Sequence, residues 1–253
     1  MLPGVCKLAS VDRTPQANVR LGAALAFVAG AANAGGFLAV GQYTSHMTGI
    51  VSSMADNLAL GQVTMALAGL AALASFLAGA MTTAVLVNWG RRMRLRSQYA
   101  LPLLLEAALL LVFGLLGAGM AMHVALLLPV TVLVLCFIMG LQNAVITKIS
   151  RAVIRTTHVT GLVTDLGIEL GKLVYVNRFP GESSRVIADR RKLRLHGLLI
   201  GSFFVGGVVG ALGFKHVGYS MTIGLAAILV PISLRPFIDD LRIRYRVWRK
   251  GQR

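Results

Sequence analysis

A chain of 253 residues that is 56% hydrophobic and only 13% charged is not an ordinary soluble domain, in which charged residues make up about 25%. Its 25 Lys and Arg against 9 Asp and Glu give a formal charge of +16. The basic residues flank apolar runs instead of forming one patch, so they read as membrane orientation and contact with anionic lipid, not as nucleic-acid binding.

Residues 1–19 are a short polar tail with Pro3 and Pro15. Lys7, Arg13 and Arg20 ahead of an apolar stretch imitate a signal peptide. The stretch exceeds a signal core of about 7–15 residues, so it is read as a retained first span, 20–41. Ala26, Gly30 and Ala34 recur along it at every fourth position, a small-residue stripe that lets another helix approach closely. Cys6 lies in the tail and Cys136 inside a span, so both are expected as free thiols.

Residues 46–61 alternate Ile50, Met54, Leu58 and Leu60 with Ser52, Ser53, Asp56 and Asn57. The segment is amphipathic and too short to span, because about 20 apolar residues are needed. A half-helix at membrane depth is expected, with an interfacial helix as the alternative. Thr48 is placed to cap its N-terminus. A second span, 63–87, leads into the basic loop Arg91, Arg92, Arg94 and Arg96. The third span, 101–122, contains Glu106, expected to snorkel to the surface unless it is buried as a proton carrier.

A fourth span, 124–146, holds Pro129, Gln142 and Asn143. The polar connection 148–195 then carries a second amphipathic stretch, 162–175, with Asp165 and Glu169 on one face, and a Phe179-Pro180-Gly181 turn. Ordinary pairing with Lys172 or Arg155 is the plain account of those two acids. The fifth span, 196–214, has Gly197-Gly201 and Gly206-Gly210 pairs, and the sixth, 217–234, is followed by a basic tail, 235–253.

One polar stretch occurs twice. Thr44-Ser45-His46-Met47-Thr48-Gly49 returns as Thr156-Thr157-His158-Val159-Thr160-Gly161, each behind an Asn-Ala pair at Asn33 or Asn143. With six spans, 24 of the 25 Lys and Arg fall on one face, which the positive-inside rule makes cytoplasmic. The expected architecture is all-α: six transmembrane helices as two inverted three-helix repeats, 20–122 and 123–234, with a short half-helix in each. N and C termini are expected in the cytoplasm and the two His-x-Thr-Gly copies on opposite sides.

The run Ala29-Gly30-Ala31-Ala32-Asn33-Ala34-Gly35-Gly36-Phe37-Leu38 with Ser45-His46-Met47-Thr48-Gly49 resembles the YoaK-like bacterial membrane proteins, a family built on a domain of unknown function. Met139-Gly140-Leu141-Gln142-Asn143-Ala144 and Thr156–Gly161 match its second half, so the resemblance covers about residues 20–235. It implies a bacterial inner-membrane protein distantly related to major-facilitator transporters. The pattern carries Asp where this chain has Asn33 and Asn where it has Ile50, so position 33 is not read as a proton carrier.

Matched polar breaks in opposite halves point to a transporter site. The candidate substrate-binding residues are Asn33, His46, Thr48, Gly49, Gln142, Asn143, His158, Thr160 and Gly161; the proton-coupling candidates are Glu106 and Asp165. A histidine can change charge near neutral pH, whereas its plain role is to bond a helix end. Thr-Gly starts expose amides to an anionic group or simply cap, and the three amides are either interhelical glue or solute contacts. No metal is expected, since neither histidine has a second His, Cys or carboxylate at ligand spacing apart from the Asp165/Glu169 pair near His158, and no cofactor is expected. Enzyme motifs are missing from the chain: there is no HExxH, CxxC or phosphate loop. The leading expectation is a small secondary transporter or exporter of an unidentified small solute, with a homodimer expected because three spans per half make a small cavity. The alternative is a non-transporting scaffold or sensor that binds lipid or a protein partner through the basic segments Arg91–Arg96 and Arg185–Arg194.

Overall fold

The computed structural model describes residues 15–95, 97–120, 123–150, 154, 156–177 and 185–251. Cys6 and the N-terminal tail to residue 14, Arg96, the last two residues of the expected third span, Arg151, Arg155 and the Phe179-Pro180-Gly181 turn lie outside them. Among the described residues the secondary structure is entirely helical: α1 (Pro15–Val40), α2 (Met47–Ala59), α3 (Val63–Arg92), α4 (Ala100–Gly119), α5 (Val124–Ser150), α6 (Val159–Val174), α7 (Arg190–His216), a 3-10 turn (Gly218–Ser220) and α8 (Met221–Gly251). Six helices are long and apolar enough to cross a membrane, all but α2 and α6. At 13 residues α2 measures about 20 Å, too short for a hydrocarbon core of about 30 Å.

Local chemistry sets the helix ends. Gly41 and Gly61 adopt φ of 72°, a left-handed turn open to glycine, and the Gly41 amide closes back on the Phe37 carbonyl at 2.8 Å. Asp189 caps α7 by accepting from the Arg191 and Lys192 amides at 2.9 and 3.3 Å.

Several bounds differ from the sequence expectation, beginning with α1, which starts at Pro15 so that residues 15–19 of the expected tail are helical. Helix α3 continues through Trp89 to Arg92, so the basic loop begins as a last helical turn whose cations suit the negative helix end. Helix α7 starts at Arg190 because of the Asp189 cap, which shortens the connection. The expected basic tail is instead a continuation of α8, which runs to Gly251 with Pro231 and Pro236 inside it. Asp240, buried in that extension, accepts from the Ser97 amide and hydroxyl at 2.7 and 2.6 Å and ties α8 to the start of α4.

The chief packing partners are α1 with α7, α3 with α5 and α4 with α8; α2 lies on α3 and α6 on α7. Two crossings use the same device. Each helix carries Phe-x-x-Gly: Phe27-Gly30 on α1 meets Phe203-Gly206 on α7, and Phe76-Gly79 on α3 meets Phe137-Gly140 on α5. At each glycine a Cβ would strike the carbonyl of the facing phenylalanine, so the backbones are as close as glycine allows.

Neighbouring residues also fix helix direction. Ser75 and Thr83 of α3 donate to the Leu133 and Leu141 carbonyls at 2.7 and 2.9 Å, so α3 and α5 run parallel. Gly22 lies by Leu199 and Gly35 by Phe214, so α1 and α7 are parallel too. Gln142 reaches Leu25 while Gly36 lies by Leu135, which makes α1 and α5 antiparallel. The end of α1 and the end of α5 are therefore at opposite ends of the bundle.

Candidate functional site

Each copy of the repeated stretch forms a corner between a long helix and a short one. In the first, Ser45 donates to Asn33 Oδ1 at 2.9 Å; in the second, Thr157 donates to Asn143 Oδ1 at 2.7 Å. The residue before each donor, Thr44 or Thr156, is buried with its hydroxyl lacking a partner. The histidine that follows, His46 or His158, is the N-cap residue of the short helix, and at neither does its side chain accept from the first turn. Thr48 and Thr160 are exposed inside the helices, so Thr48 is not the cap its sequence position suggested. The short helix begins one residue after the histidine in both copies, so α6 starts three residues earlier than expected, at Val159.

The corners differ in what surrounds them. The His46 ring lies over Gly49, where a Cβ would meet Nε2 at 2.8 Å, while nothing lies within 4 Å of a Cβ at Gly161. A cleft of about 710 Å³ opens at the first corner between the end of α1, α2, and the first halves of α3 and α5. His46, Gly49, Gln42, Ser53 and Asn57 supply its polar lining, with Ile50, Met54, Met65 and Val132 among the apolar walls. Phe37 and Tyr43 stack at its edge with centroids 4.7 Å apart. A wall of this kind suits a small molecule with apolar area and a few hydrogen-bonding groups.

The second corner is tied down at two residues instead. Leu162 and Glu169 of α6 are buried, whereas α2 buries no residue. Glu169 is 4% exposed and takes Lys172 Nζ at 2.8 Å and the Asp189 amide at 2.8 Å, which ties α6 to the start of α7. The Lys172 bond first, then the Asp189 amide, hold the Glu169 carboxyl below its ordinary range. The amides of Arg191 and then Lys192 do the same for Asp189. Asp165, on the same helix, is exposed.

Next to the second corner, one residue before Asn143, lies a third polar group. Gln142 Nε2 donates to Glu106 Oε1 at 2.7 Å and to the Leu25 carbonyl at 3.2 Å, and both side chains are 0% exposed. Glu106 therefore does not snorkel: an amide on the next helix, α5, gives it a partner in the core. The neighbouring Asn143 bonds the Met139 carbonyl at 2.8 Å as well as Thr157.

The structure thus brings Asn33 to the first corner, Asn143 to the second, and Gln142 to Glu106, and it sets the two His-x-Thr-Gly copies after the ends of the antiparallel helices α1 and α5. Of their residues only His46 and Gly49 line the cleft. Reading the motif by its histidines missed Thr44, Ser45, Thr156 and Thr157, although all four stood inside the repeated stretch. Ser53 and Asn57, on the polar face of α2, were legible as amphipathicity but not as cleft lining.

A family model covers residues 21–234, described as "Protein of unknown function (DUF1275)". The chain belongs to that family. The YoaK-like resemblance read from the paired motifs agrees with this assignment. Searches of curated proteins and of solved structures returned no significant match. The family description names no chemistry, and it is the six long apolar helices that make the chain a multi-pass membrane protein.

Proposed function

We propose that this DUF1275 protein is a small secondary transporter or exporter of a small solute in the bacterial inner membrane, with its two halves related as inverted repeats and both termini cytoplasmic. The observation that supports the reading is the same Asn–hydroxyl–His corner following each of two antiparallel helices, with a cleft beside one copy and a carboxylate tie from the short helix to α7 beside the other. A carrier that alternates access needs two gates of similar build in different states. Further support comes from the helix pairing: exchanging α1 with α5, α3 with α7 and α2 with α6 turns the α1–α7 contact into α3–α5 and the α2–α3 contact into α6–α7.

In this reading the solute enters at His46 and Gly49, passes Asn33, Gln142 and Asn143, and leaves past His158, Thr160 and Gly161, with Thr48 and Thr160 at the two mouths. The protein is not an enzyme and uses no cofactor. Its basic helix ends contact anionic lipid of the cytoplasmic leaflet, and a homodimer completes the carrier. Of the two proton-coupling candidates, the buried Glu106 is favoured over the exposed Asp165.

The test is uptake into proteoliposomes of those metabolites that raise the melting temperature of the purified protein, since a ligand of the native state alone stabilises it. The double variant His46→Ala/His158→Ala is expected to bring uptake to background while remaining folded. Uptake at the wild-type rate would sink the reading. No stabilising metabolite, together with stabilisation by anionic-lipid vesicles, would favour the scaffold or sensor instead.

A further inference from the structure

The core of the bundle is short of one hydrogen-bond donor at one place. The Gln142 amide has two hydrogens, and both are spent, on Glu106 Oε1 and on the Leu25 carbonyl. Left over are Glu106 Oε2 and Gln142 Oε1, each buried and without a partner. Turning the amide over would not help, because its oxygen would then face two acceptors. The charged groups of the helices packed on α4 are the Arg91–Arg92 pair at the end of α3, Lys148 near the end of α5 and, from the middle of α8 onward, Arg235, Asp239, Asp240 and the basic residues from Arg242. Arg20 of α1 lies five residues before Leu25. Among the described residues none of these pairs with Glu106. Asp240 is spent on Ser97, and the Tyr219 phenol ring packs at Phe113 and Gly117, about two turns or more further along α4.

We propose that Glu106 and Gln142 form an acid–amide pair storing one exchangeable proton in the core, and that loss of this proton loosens the second corner through Asn143. A proton on Glu106 Oε2 turns that atom from acceptor into donor, and Gln142 Oε1 is the acceptor left for it. The two residues then close a ring of two hydrogen bonds, N–H to carboxyl and O–H to amide. Two free oxygens are too few to replace the hydration shell of a metal cation, whereas one proton closes the account. On release the Glu106 O–H bond breaks, the electron pair stays on the carboxylate and the proton passes to water. A bare carboxylate at this depth is costly, so the α1–α4–α5 tie that Gln142 makes must rearrange. Asn143, the next residue, holds Thr157 of the second corner at 2.7 Å. Proton occupancy and corner closure are coupled by adjacency on one helix. The coupling half deepens the transporter reading and rests on it; the storage half does not.

Infrared spectroscopy of the full chain in lipid nanodiscs tests storage. The wild type is expected to show a carboxylic-acid C=O band at neutral pH, absent from Glu106→Gln and lost as pH is raised. In Gln142→Met the band moves to higher frequency, as an acid without a partner does, and this variant carries the test if Glu106→Gln does not fold. Carboxylate bands in place of the acid band would overturn storage. Coupling is read by amide hydrogen exchange over residues 156–162, corrected for base catalysis. Protection is expected to fall as the band titrates in the wild type and to be independent of pH in Glu106→Gln. A titrating band with unchanged protection overturns coupling and leaves storage standing. Neither measurement uses a solute, so the transport reading fails separately, in the uptake assay.

Discussion

At the α1–α2 corner the His46 ring covers Gly49, a cleft of about 710 Å³ opens alongside, and α2 buries no residue along its 13-residue length. At the α5–α6 corner Gly161 faces open space, Leu162 and Glu169 are buried, and a carboxylate bonds the helix to the start of α7. Both corners nevertheless keep the Asn-to-hydroxyl bond and the buried threonine. The long helix is joined to its short helix by the same Asn–hydroxyl piece at both corners, and what differs is the cover over the first turn of the short helix and the contacts along it. An isolated helix of this length is marginal on its own, so its position is decided by what covers it. That is the behaviour a gate requires.

The comparison presumes that the two halves share one scaffold, and the largest expected effects test this. Gly30→Leu and Gly140→Leu each drive a side chain into a facing carbonyl, of Phe203 and of Phe76. Each should cost about 3 kcal/mol or more, read as loss of the monodisperse peak and a lower melting temperature. If one is tolerated and the other is not, the crossings are not equivalent.

A smaller effect separates the corners themselves. Gly49→Ala puts a methyl into the His46 ring, so the ring must leave its place over the helix start; crowding of about 2 kcal/mol less the roughly 1 kcal/mol that alanine gains over glycine in a helix leaves an expected loss of about 1 kcal/mol. Gly161→Ala meets nothing, and alanine in a helix is favoured over glycine by about 1 kcal/mol, so this variant should be stabilised. Thermal unfolding of the pair decides the point: shifts of the same sign would mean the corners are surrounded alike.

How much of this was legible depends on the kind of interaction. Six apolar stretches, their charged flanks and the polar stretch that occurs twice are local in sequence, so the helices and the motif could be read directly. Glu106 was read as ready to snorkel because a position five residues into a span says nothing of what faces it; its partner, Gln142, is 36 residues away on another helix. The helical extension of α8 was read as a tail because its charge hid the contact that holds it, Asp240 on Ser97, across 143 residues. Gly30 and Gly206 are legible as small residues for close approach, but Gly79 and the facing phenylalanines are not, since the partner of a close approach shows only when the facing backbone is known.

The smallest effect expected is a difference in acid sensitivity between the corners. Glu169 and Asp189 are held below the ordinary carboxyl range by the Lys172 bond and by the Arg191 amide respectively. A carboxyl depressed in the folded state adds stability above its unfolded value, about 4.3 for Glu and 3.9 for Asp, and that contribution is lost as pH falls through the folded value. Acidification should therefore weaken the bond from Glu169 to the Asp189 amide and release α6 from α7. Helix α2 is held by no such carboxylate; its side-chain bond is Asn57 to Ser53, between groups that do not titrate. Amide exchange compared at neutral pH and near the acid limit of the folded state, corrected for intrinsic rates, should show α6 losing protection relative to α2. In Glu169→Gln, α6 should be less protected at neutral pH and change little on acidification. Equal loss in both helices would mean that acid acts on the bundle as a whole, and the closed state of the second corner would then owe its stability to Leu162 and its apolar neighbours instead of the carboxylate.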